Sequence, residues 1–344
     1  YRECVRPARG GTDPTHRISY EAAPGAKVIV KGSEIHREGW QPSAIPTRGT
    51  GAGSGGQVNI RKHELTGAMF PDAYNPFGMA SIMQDRVYLK PKPEELFRHL
   101  ARRGMVFVDG QRLKQVELYQ ELAAQDGTFW CEHDGLTVHV RLPGDADPGR
   151  HSVELAIQEQ VFAPRTRGLA YLRIKGLTFE HAANGFPVPQ RGMVSLSRGH
   201  HWIIEDCVLR EANGVALDLG AQDWDKIPPE VIGRAIVRRN HIDEVGVCGI
   251  AGAGVQGTLI ESNLIEHVGY RNVELAWETG GIKLHFAKSC LIWRNVIRHT
   301  VHAEAIWLDY ENTNTRVTGN VMGDTLETLR GGVYLEASHD SHVL

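Results

Sequence analysis

A repeat in the second half of the chain constrains the fold more than any other feature. From about residue 168 the sequence falls into coils, each with a β-rich run, one Asn or Asp, and a second β-rich run. The polar residues form a column of Asp206, Asn240, Asn263, Asn295 and Asn320, at intervals of 34, 23, 32 and 25 residues. Short apolar strands at such a period are typical of a parallel β-helix. Asn at a sharp bend bonds nearby backbone and the Asn of the next coil, so we assign this column to the scaffold.

The second strand of each coil also aligns, in segments 214–218, 249–253, 281–285, 305–309 and 332–336. Their second and fourth residues are mostly apolar and are predicted to point into the core. Because side chains alternate along a strand, the third and fifth residues point to the other face. That outer, solvent-facing column carries Lys283 and His285, then Trp307 and Asp309, then Tyr334 and Glu336.

The whole chain is predicted to be all-β, a right-handed parallel β-helix (a pectate-lyase-like solenoid) with a β-rich inserted subdomain. Residues 1–45 look like the first coils, and residues 166–344 are coils carrying the active site. Residues 46–165 do not repeat and predict the insertion, with short helices at 93–103 and 115–124. The insertion either caps the coils or forms one wall of a substrate cleft. The sequence starts at Tyr1 and stops inside a strand, so we expect a fragment truncated at both ends.

The amino-acid composition limits which classes of binding partner are expected. The net charge is −3 with basic and acidic residues interspersed, which argues against a nucleic-acid partner. No apolar run reaches about 18 residues, so no membrane span is expected. Five widely spaced cysteines lack any zinc pattern, and we predict buried or free thiols and no bound metal or cofactor. Bacterial-type cytoplasmic, periplasmic and secreted locations stay open, and so does a homo-oligomer.

Asp309 and Glu336 are the residues with the clearest chemical potential. They occupy the same place in consecutive coils, and neighbouring strands lie about 4.8 Å apart. Retaining glycosidases need about 5 to 5.5 Å between their carboxyl groups, whereas inverting enzymes need about 6.5 to 9.5 Å. The register therefore favours retention. Repulsion should raise one pKa, as a proton donor requires, while Lys283 and His285 keep Asp309 ionised.

The neighbours of this pair suit an oligosaccharide. Trp307 and Tyr334 offer rings on which sugars stack, and Lys283 and His285 offer hydrogen-bond donors. A long excursion at 264–280 predicts that Trp277 and Glu278 line the rim of the cleft. The simpler interpretation is that charged residues on a solvated face are ordinary, although like charges on adjacent strands are destabilising.

Three stretches resemble the glycoside hydrolase family 120 β-xylosidases: GGIKLH from Gly280, AIWLDYENTNTRVTGNV from Ala305 and GVYLEASH from Gly332. The resemblance implies a right-handed parallel β-helix interrupted by a β-sandwich-like insertion. It also implies that Asp309 of the WLD motif is the nucleophile, Glu336 the acid/base and Glu278 a substrate-binding residue. The family has His where this chain has Trp277, and its insertion differs.

Residues and resemblance together predict a retaining glycoside hydrolase acting on plant-type oligosaccharides, most like a β-xylosidase, without a cofactor. Other β-helix glycosidases remain alternatives within the class, including family 141-like fucosidases and xylanases. A polysaccharide lyase would instead use a basic residue as proton abstractor and often Ca²⁺. A non-catalytic carbohydrate-binding β-helix would bind glycan without turnover.

Overall fold

The chain forms two compact units in the computed structural model, which describes residues 1–43, 58–81, 101–185, 191–221, 231–271, 278–302, 304–325 and 331–344. One unit consists of Tyr1–Gly32 together with Glu159–Leu344, and the other is Ser33–Gln158. The sequence prediction puts the interruption at 46–165.

The discontinuous unit is a right-handed parallel β-helix, as predicted, and its strands form three parallel sheets. The strands of the first sheet are Ile18–Glu21, Leu172–Lys175, Ile203–Glu205, Ile236–Arg238, Leu259–Glu261, Leu291–Trp293, Arg316–Thr318 and His342–Val343. Those of the second are Val28–Lys31, Leu177–Ala182, Val208–Ala212, His241–Val245, Leu264–Val268, Val296–Thr300 and Val321–Gly323. Those of the third are Val194–Ser195, Val215–Asp218, Cys248–Ala253, Gly280–His285, Ile306–Asp309 and Val333–Glu336.

Stacked aliphatic side chains fill the interior between the sheets. In the third sheet Ile282 pairs with Ile306, and Leu284 pairs with Leu308. All four are fully buried, and each such side chain contributes about 1.5–3 kcal/mol. Leu335, predicted to point into the core, is 40% exposed. Among the described residues its strand pairs with Ile306–Asp309 and forms the edge of the sheet, so no strand of the described ranges lies on its other side.

The predicted Asn column is confirmed from Asn240 to Asn320. The Asn240 Nδ2 donates to Asn263 Oδ1 at 3.0 Å, Asn263 Nδ2 to Asn295 Oδ1 at 2.9 Å, and Asn295 Nδ2 to Asn320 Oδ1 at 2.9 Å. Each Oδ1 also accepts from the backbone N–H of the preceding member. The column is scaffold because its amides satisfy one another and the turn backbone.

The prediction that Asp206 belongs to this column is wrong. The residue beside Asn240 is Cys207, whose backbone N–H donates to Asn240 Oδ1 at 3.0 Å. Asp206 has a left-handed φ of 56° and accepts from Arg239 Nε at 2.7 Å. Asp206 thus lies one position before the ladder and forms an ion pair with Arg239 instead.

Loss of one ladder amide should be costly. Asn263→Ala strands the N–H of Asn240 and the carbonyl of Val237 in the core, since both bond to the Asn263 amide at 3.0 Å. We expect the free energy of unfolding to fall by about 3 kcal/mol in urea titrations. Asn314→Gly is the control, because Asn314 is exposed at a φ of 49°, which Gly adopts freely. Equal losses in both variants would contradict a structural ladder.

The register of the first predicted segment, 214–218, is also wrong. Val215 pairs with Cys248 and Asp218 with Ala251, two positions from the predicted alignment. Since Ala251 in turn pairs with Lys283, Asp218 belongs to the Lys283 row rather than the His285 row. The other four segments pair as predicted.

The Ser33–Gln158 unit contains two sheets. The first has the strands Gln41–Pro42, Arg61–Glu64, Thr137–Arg141, Thr128–Cys131 and Lys114–Gln115. The second has the strands Ser33–Ile35, Val153–Ala156, Val106–Val108 and Gln111–Arg112. Short 3-10 turns lie at Gly67–Met69, Pro71–Ala73, Pro143–Asp145 and Pro148–Arg150.

One predicted helix is present in shortened form. It spans Tyr119–Ala124 rather than 115–124, because Lys114–Gln115 pairs as a strand with Thr128 and Phe129. Glu121 accepts from the N–H groups of Glu117 and Leu118 and so closes the first turn. The helix predicted at 93–103 falls mostly outside the described residues, and 101–103 are not helical.

No disulfide links the five cysteines, and all except Cys4 are buried. None of the helices in the described ranges has the length and apolar character needed to span a bilayer.

Candidate active site

Three neighbouring strands of the third sheet carry the predicted site residues at their last positions. His285 pairs with Asp309, and Asp309 pairs with Glu336. We call these three residues the site column. The two carboxylates therefore stand on adjacent parallel strands, in the register that the sequence predicts.

Each strand ends at its site residue because the next residue turns the backbone. Phe286, Tyr310 and Ala337 have φ values of 52°, 55° and 43°, in the left-handed region. These turns stack as the strands do, since the Phe286 N–H donates to the Tyr310 carbonyl at 2.8 Å. Side chains other than Gly are uncommon in this conformation, so the stacked turns hold the site residues at a constrained strand end.

Gly281 explains the close approach of the first site strand to the next coil. A Cβ at this position would lie 2.6 Å from the carbonyl oxygen of Ala305 and 2.5 Å from Ile297 Cγ2. Any larger residue would push the Gly280–His285 strand away from Ile306–Asp309.

Three charged or titratable side chains lie near Asp309, and together with it they form what we call the ion cluster: Glu278, Lys283, His285 and Asp309. Lys283 Nζ lies 2.8 Å from Glu278 Oε1 and 3.0 Å from Asp309 Oδ2. His285 Nε2 lies 3.0 Å from the same Asp309 oxygen and 3.6 Å from Glu278 Oε1. Two anions and two basic groups thus compensate one another in a buried place.

The pKa shifts follow from these contacts. Burial alone would raise the pKa of Asp309, but the His285 hydrogen bond and the Lys283 charge hold it below its usual value. The pKa of Glu278 is also lowered: burial would raise it, but the Lys283 and His285 charges outweigh that effect. Burial opposes the charged form of His285, yet Glu278 and Asp309 raise its pKa. Asp309 is therefore kept as a carboxylate.

The prediction of a solvent-facing column is wrong for Lys283, His285 and Trp307. Lys283 is fully buried, and Trp307 is 4% exposed. The Lys283 ammonium lies 3.2 Å from the centroid of the Trp307 ring, a cation–π contact. Trp307 also packs against the partly buried Tyr334 at 5.6 Å between ring centroids. Trp307 thus packs against the ion cluster through Lys283. Of the six residues predicted in the column, Asp309, Tyr334 and Glu336 are partly exposed.

The sequence predicts Glu278 at the rim of a cleft, but the residue is 2% exposed. The structure brings it to Lys283 and His285, because a φ of 52° at Glu278 leads directly into their strand. Trp277, predicted beside it, lies outside the described residues.

A metal ion has potential donors here, since atoms of Glu278, His285 and Asp309 lie within 4.8 Å of one another. The Lys283 ammonium contacts both carboxylates and already supplies the positive charge between them. A cation at that place would face this ammonium, so the residues do not fit a metal.

Asn312 is a site residue that the sequence argument missed. Its Nδ2 donates to the carbonyls of Asp309 at 2.8 Å and Leu284 at 3.1 Å, and to Ser338 Oγ at 3.1 Å. It therefore ties the turns of three coils together behind the site column. The signal was its interval of 26 residues to Ser338, close to the 27 between Asp309 and Glu336.

Comparison with solved structures gives strong similarity to XylC, whose structure was determined in complex with xylose. The TM-score is 0.80 at 26% identity, and the match covers 98% of this chain but 57% of XylC. A GH136 lacto-N-biosidase from Eubacterium ramulus (TM-score 0.42, 11% identity, 54% of this chain and 45% of that one) also matches. So does a glycoside hydrolase (0.44, 10%, 92% and 83%). No protein-family model and no curated protein matches the sequence. The chain spans little more than half the length of XylC, and the resemblance to family 120 β-xylosidase-like β-helix proteins that its motifs indicate is confirmed at the level of the fold.

Proposed function

We propose that this chain carries the active site of a retaining glycoside hydrolase. The observation that carries the proposal is the register that pairs Asp309 with Glu336 on adjacent parallel strands. Such strands lie about 4.8 Å apart, close to the separation of about 5 to 5.5 Å between the carboxyl groups of retaining enzymes. Similarity to XylC supports a glycoside hydrolase more generally.

The two carboxylates differ in their surroundings, which supports different roles. Asp309 is held ionised by Lys283 and His285 and is suited to attack the anomeric carbon. Glu336 stands beside it on the adjacent strand and is partly exposed. It would protonate the leaving oxygen and then activate the water that hydrolyses the glycosyl-enzyme.

The proposed substrates are β-xylosides of plant-type oligosaccharides. The support is the xylose bound to XylC, together with the WLD and GIKLH motifs. Tyr334 is the aromatic residue of the column that remains partly exposed, and sugar stacking is proposed for its ring.

A lyase mechanism receives less support. The basic residue it would recruit is Lys283, which is buried, contacts both Glu278 and Asp309, and covers the Trp307 ring. A proton abstractor must instead reach the substrate with a neutral amine. Product absorbing near 235 nm would favour the lyase, and glycan binding without turnover would favour a non-catalytic module.

Glu336→Ala tests the acid/base role. We expect kcat to fall about 10²–10⁴-fold on xylosides with poor leaving groups, and much less on activated aryl xylosides that need no protonation. Azide should restore turnover and yield a β-xylosyl azide, because it replaces the water that needs a base. Glu261→Ala in the first sheet is the matched control and should keep the wild-type rate. Unchanged rates, or no azide adduct, would refute the assignment.

The configuration of the product tests the spacing argument. NMR of the first-formed sugar should detect the β-anomer, the configuration of the substrate, before mutarotation. First formation of the α-anomer would mean that the carboxyl groups accommodate a water between them and that the enzyme inverts.

A further inference from the structure

The five-stranded sheet of the Ser33–Gln158 unit has two chemically different faces. Val138, Val140 and Phe129 point into the apolar core. His139 and Trp130 alternate with these residues along their strands and point the other way. On that face Lys62 pairs with His139, and His139 pairs with Trp130. The face thus places an imidazole at the centre of a polar and aromatic row.

A continuous hydrogen-bond chain passes through His139. Ser43 Oγ lies 2.8 Å from His139 Nδ1, and His139 Nε2 lies 3.1 Å from Glu132 Oε1. The Tyr119 hydroxyl lies 2.8 Å from Ser43 Oγ. The Ser43 N–H donates to the Ile60 carbonyl at 3.0 Å, which fixes the backbone under the hydroxyl.

The chemistry of the groups sets the direction of this chain. An ionised Glu132 only accepts, so Nε2 of a neutral His139 carries the proton and Nδ1 is left as the acceptor. Ser43 therefore donates to Nδ1, and the Tyr119 hydroxyl donates to Ser43. A nucleophile, a base and a group that orients the base are thus in sequence, as in hydrolases that act through a serine.

His139 is held rigidly and in its basic form. It is 1% exposed, and the rings of Tyr119 and Trp130 pack against it at 5.3 and 5.2 Å between centroids. Burial lowers the pKa of His139 below its ordinary value, against the opposing effect of Glu132, and Lys62 acts in the same direction as burial. Ser43 remains partly exposed.

We propose that Ser43, His139 and Glu132 form a second catalytic centre, which hydrolyses carboxylic esters, with Tyr119 donating to the oxyanion. Its activity is separate from the proposed glycosidase and rests on different residues. The flanking Tyr119 and Trp130 rings offer apolar surface to the acyl or alcohol part of the ester.

The reaction balances with water as the co-reactant. Ser43 Oγ attacks the carbonyl carbon while its proton passes to His139 Nδ1, and Tyr119 donates to the oxygen that becomes negative. The intermediate collapses, the ester C–O bond breaks, and the leaving alkoxide takes the proton from Nδ1. Water then gives a proton to Nδ1 and attacks the acyl-serine. Ser43 leaves with that proton, so one ester and one water yield one acid and one alcohol.

Covalent labelling and ester hydrolysis test this proposal on the whole chain. A fluorophosphonate should label Ser43, as located by peptide mass spectrometry. The chain should hydrolyse p-nitrophenyl acetate with an acidic limb whose midpoint lies below pH 6.5, because His139 must be neutral. Ser43→Ala should lose the label, and both it and His139→Gln should lose about 10²-fold or more of the ester hydrolysis.

Ser152→Ala, a serine of the same unit outside the chain of hydrogen bonds, should keep both label and rate. Circular dichroism should give the same spectrum for all variants. Labelling elsewhere, or equal hydrolysis by Ser43→Ala, would overturn the proposal. So would a lowered unfolding temperature of Ser43→Ala without any labelling of the wild type, which identifies a structural chain. Xyloside hydrolysis enters none of these readouts, so each activity can fail without the other.

Discussion

Asp309→Ala should reduce the hydrolysis of aryl β-xylosides on the order of 10⁴-fold, the scale seen when a catalytic nucleophile is removed. The variant lacks the group that forms the covalent intermediate, and the loss should appear in kcat for good and poor leaving groups alike. This distinguishes it from Glu336→Ala, whose loss depends on the leaving group. Steady-state rates on a series of aryl xylosides measure the difference.

Asp309→Asn separates chemistry from folding. The amide keeps the shape of the carboxylate beside Lys283 and His285 but is a poor nucleophile, so the same loss is expected with little change in shape. Asp324→Ala is the control, since Asp324 is an exposed aspartate in the following coil. If Asp309→Asn turned over at the wild-type rate, Asp309 could not be the nucleophile.

Lys283→Met should produce the largest change in stability. Met fills a similar volume but removes the ammonium that contacts the buried Glu278 carboxylate and the partly buried Asp309 carboxylate. Removal of one partner from a buried pair costs about 3–5 kcal/mol, because the remaining charge is uncompensated. Urea unfolding at pH 7 measures this loss.

The pH dependence of the stability loss in Lys283→Met shows whether charge is its cause. The lowered pKa values of Glu278 and Asp309 contribute stability that is present above their unfolded values and is lost as the pH falls. The raised pKa of His285 contributes stability that is present below its unfolded value near 6.5 and is lost as the pH rises. In Lys283→Met the uncompensated carboxylates should take up protons more readily. The deficit of the variant should therefore shrink as the pH is lowered.

Lys288→Met, an exposed lysine just beyond the same strand, should change the free energy of unfolding by less than about 0.5 kcal/mol. A deficit in Lys283→Met that is constant with pH would mean that packing on Trp307, rather than charge, accounts for the loss.

The fold could be predicted from the sequence because its signals are local and repeated. Asn240 to Asn320 recur at the turns, and the apolar residues alternate so regularly that four of five third-sheet segments align correctly. The predictions for Asp206 and for the 214–218 segment are wrong for a common reason. Connecting turns vary in length between coils, so at the first coils a polar residue one position away, or a strand two positions away, fits the pattern equally well.

The burial of the site could not be predicted in the same way. Strand alternation states which face Lys283 and Trp307 point to, but not whether other parts of the chain cover that face. The ion cluster depends on Glu278, which reaches Lys283 through its left-handed φ rather than through strand periodicity. Asn312 contacts three coils, and no single coil contains the information that makes it important.

In the stacked coils, the spacing of the two carboxylates does not depend on the length of the chain segment that joins them. The spacing of Asp309 and Glu336 is set by the hydrogen bonds between adjacent strands, although the two residues are 27 positions apart in the chain. Insertions or deletions in that connection leave the pairing intact as long as the strands and the Asn312 turn remain. The connecting segment can therefore diverge in length and sequence while the relative placement of the two carboxylates stays the same.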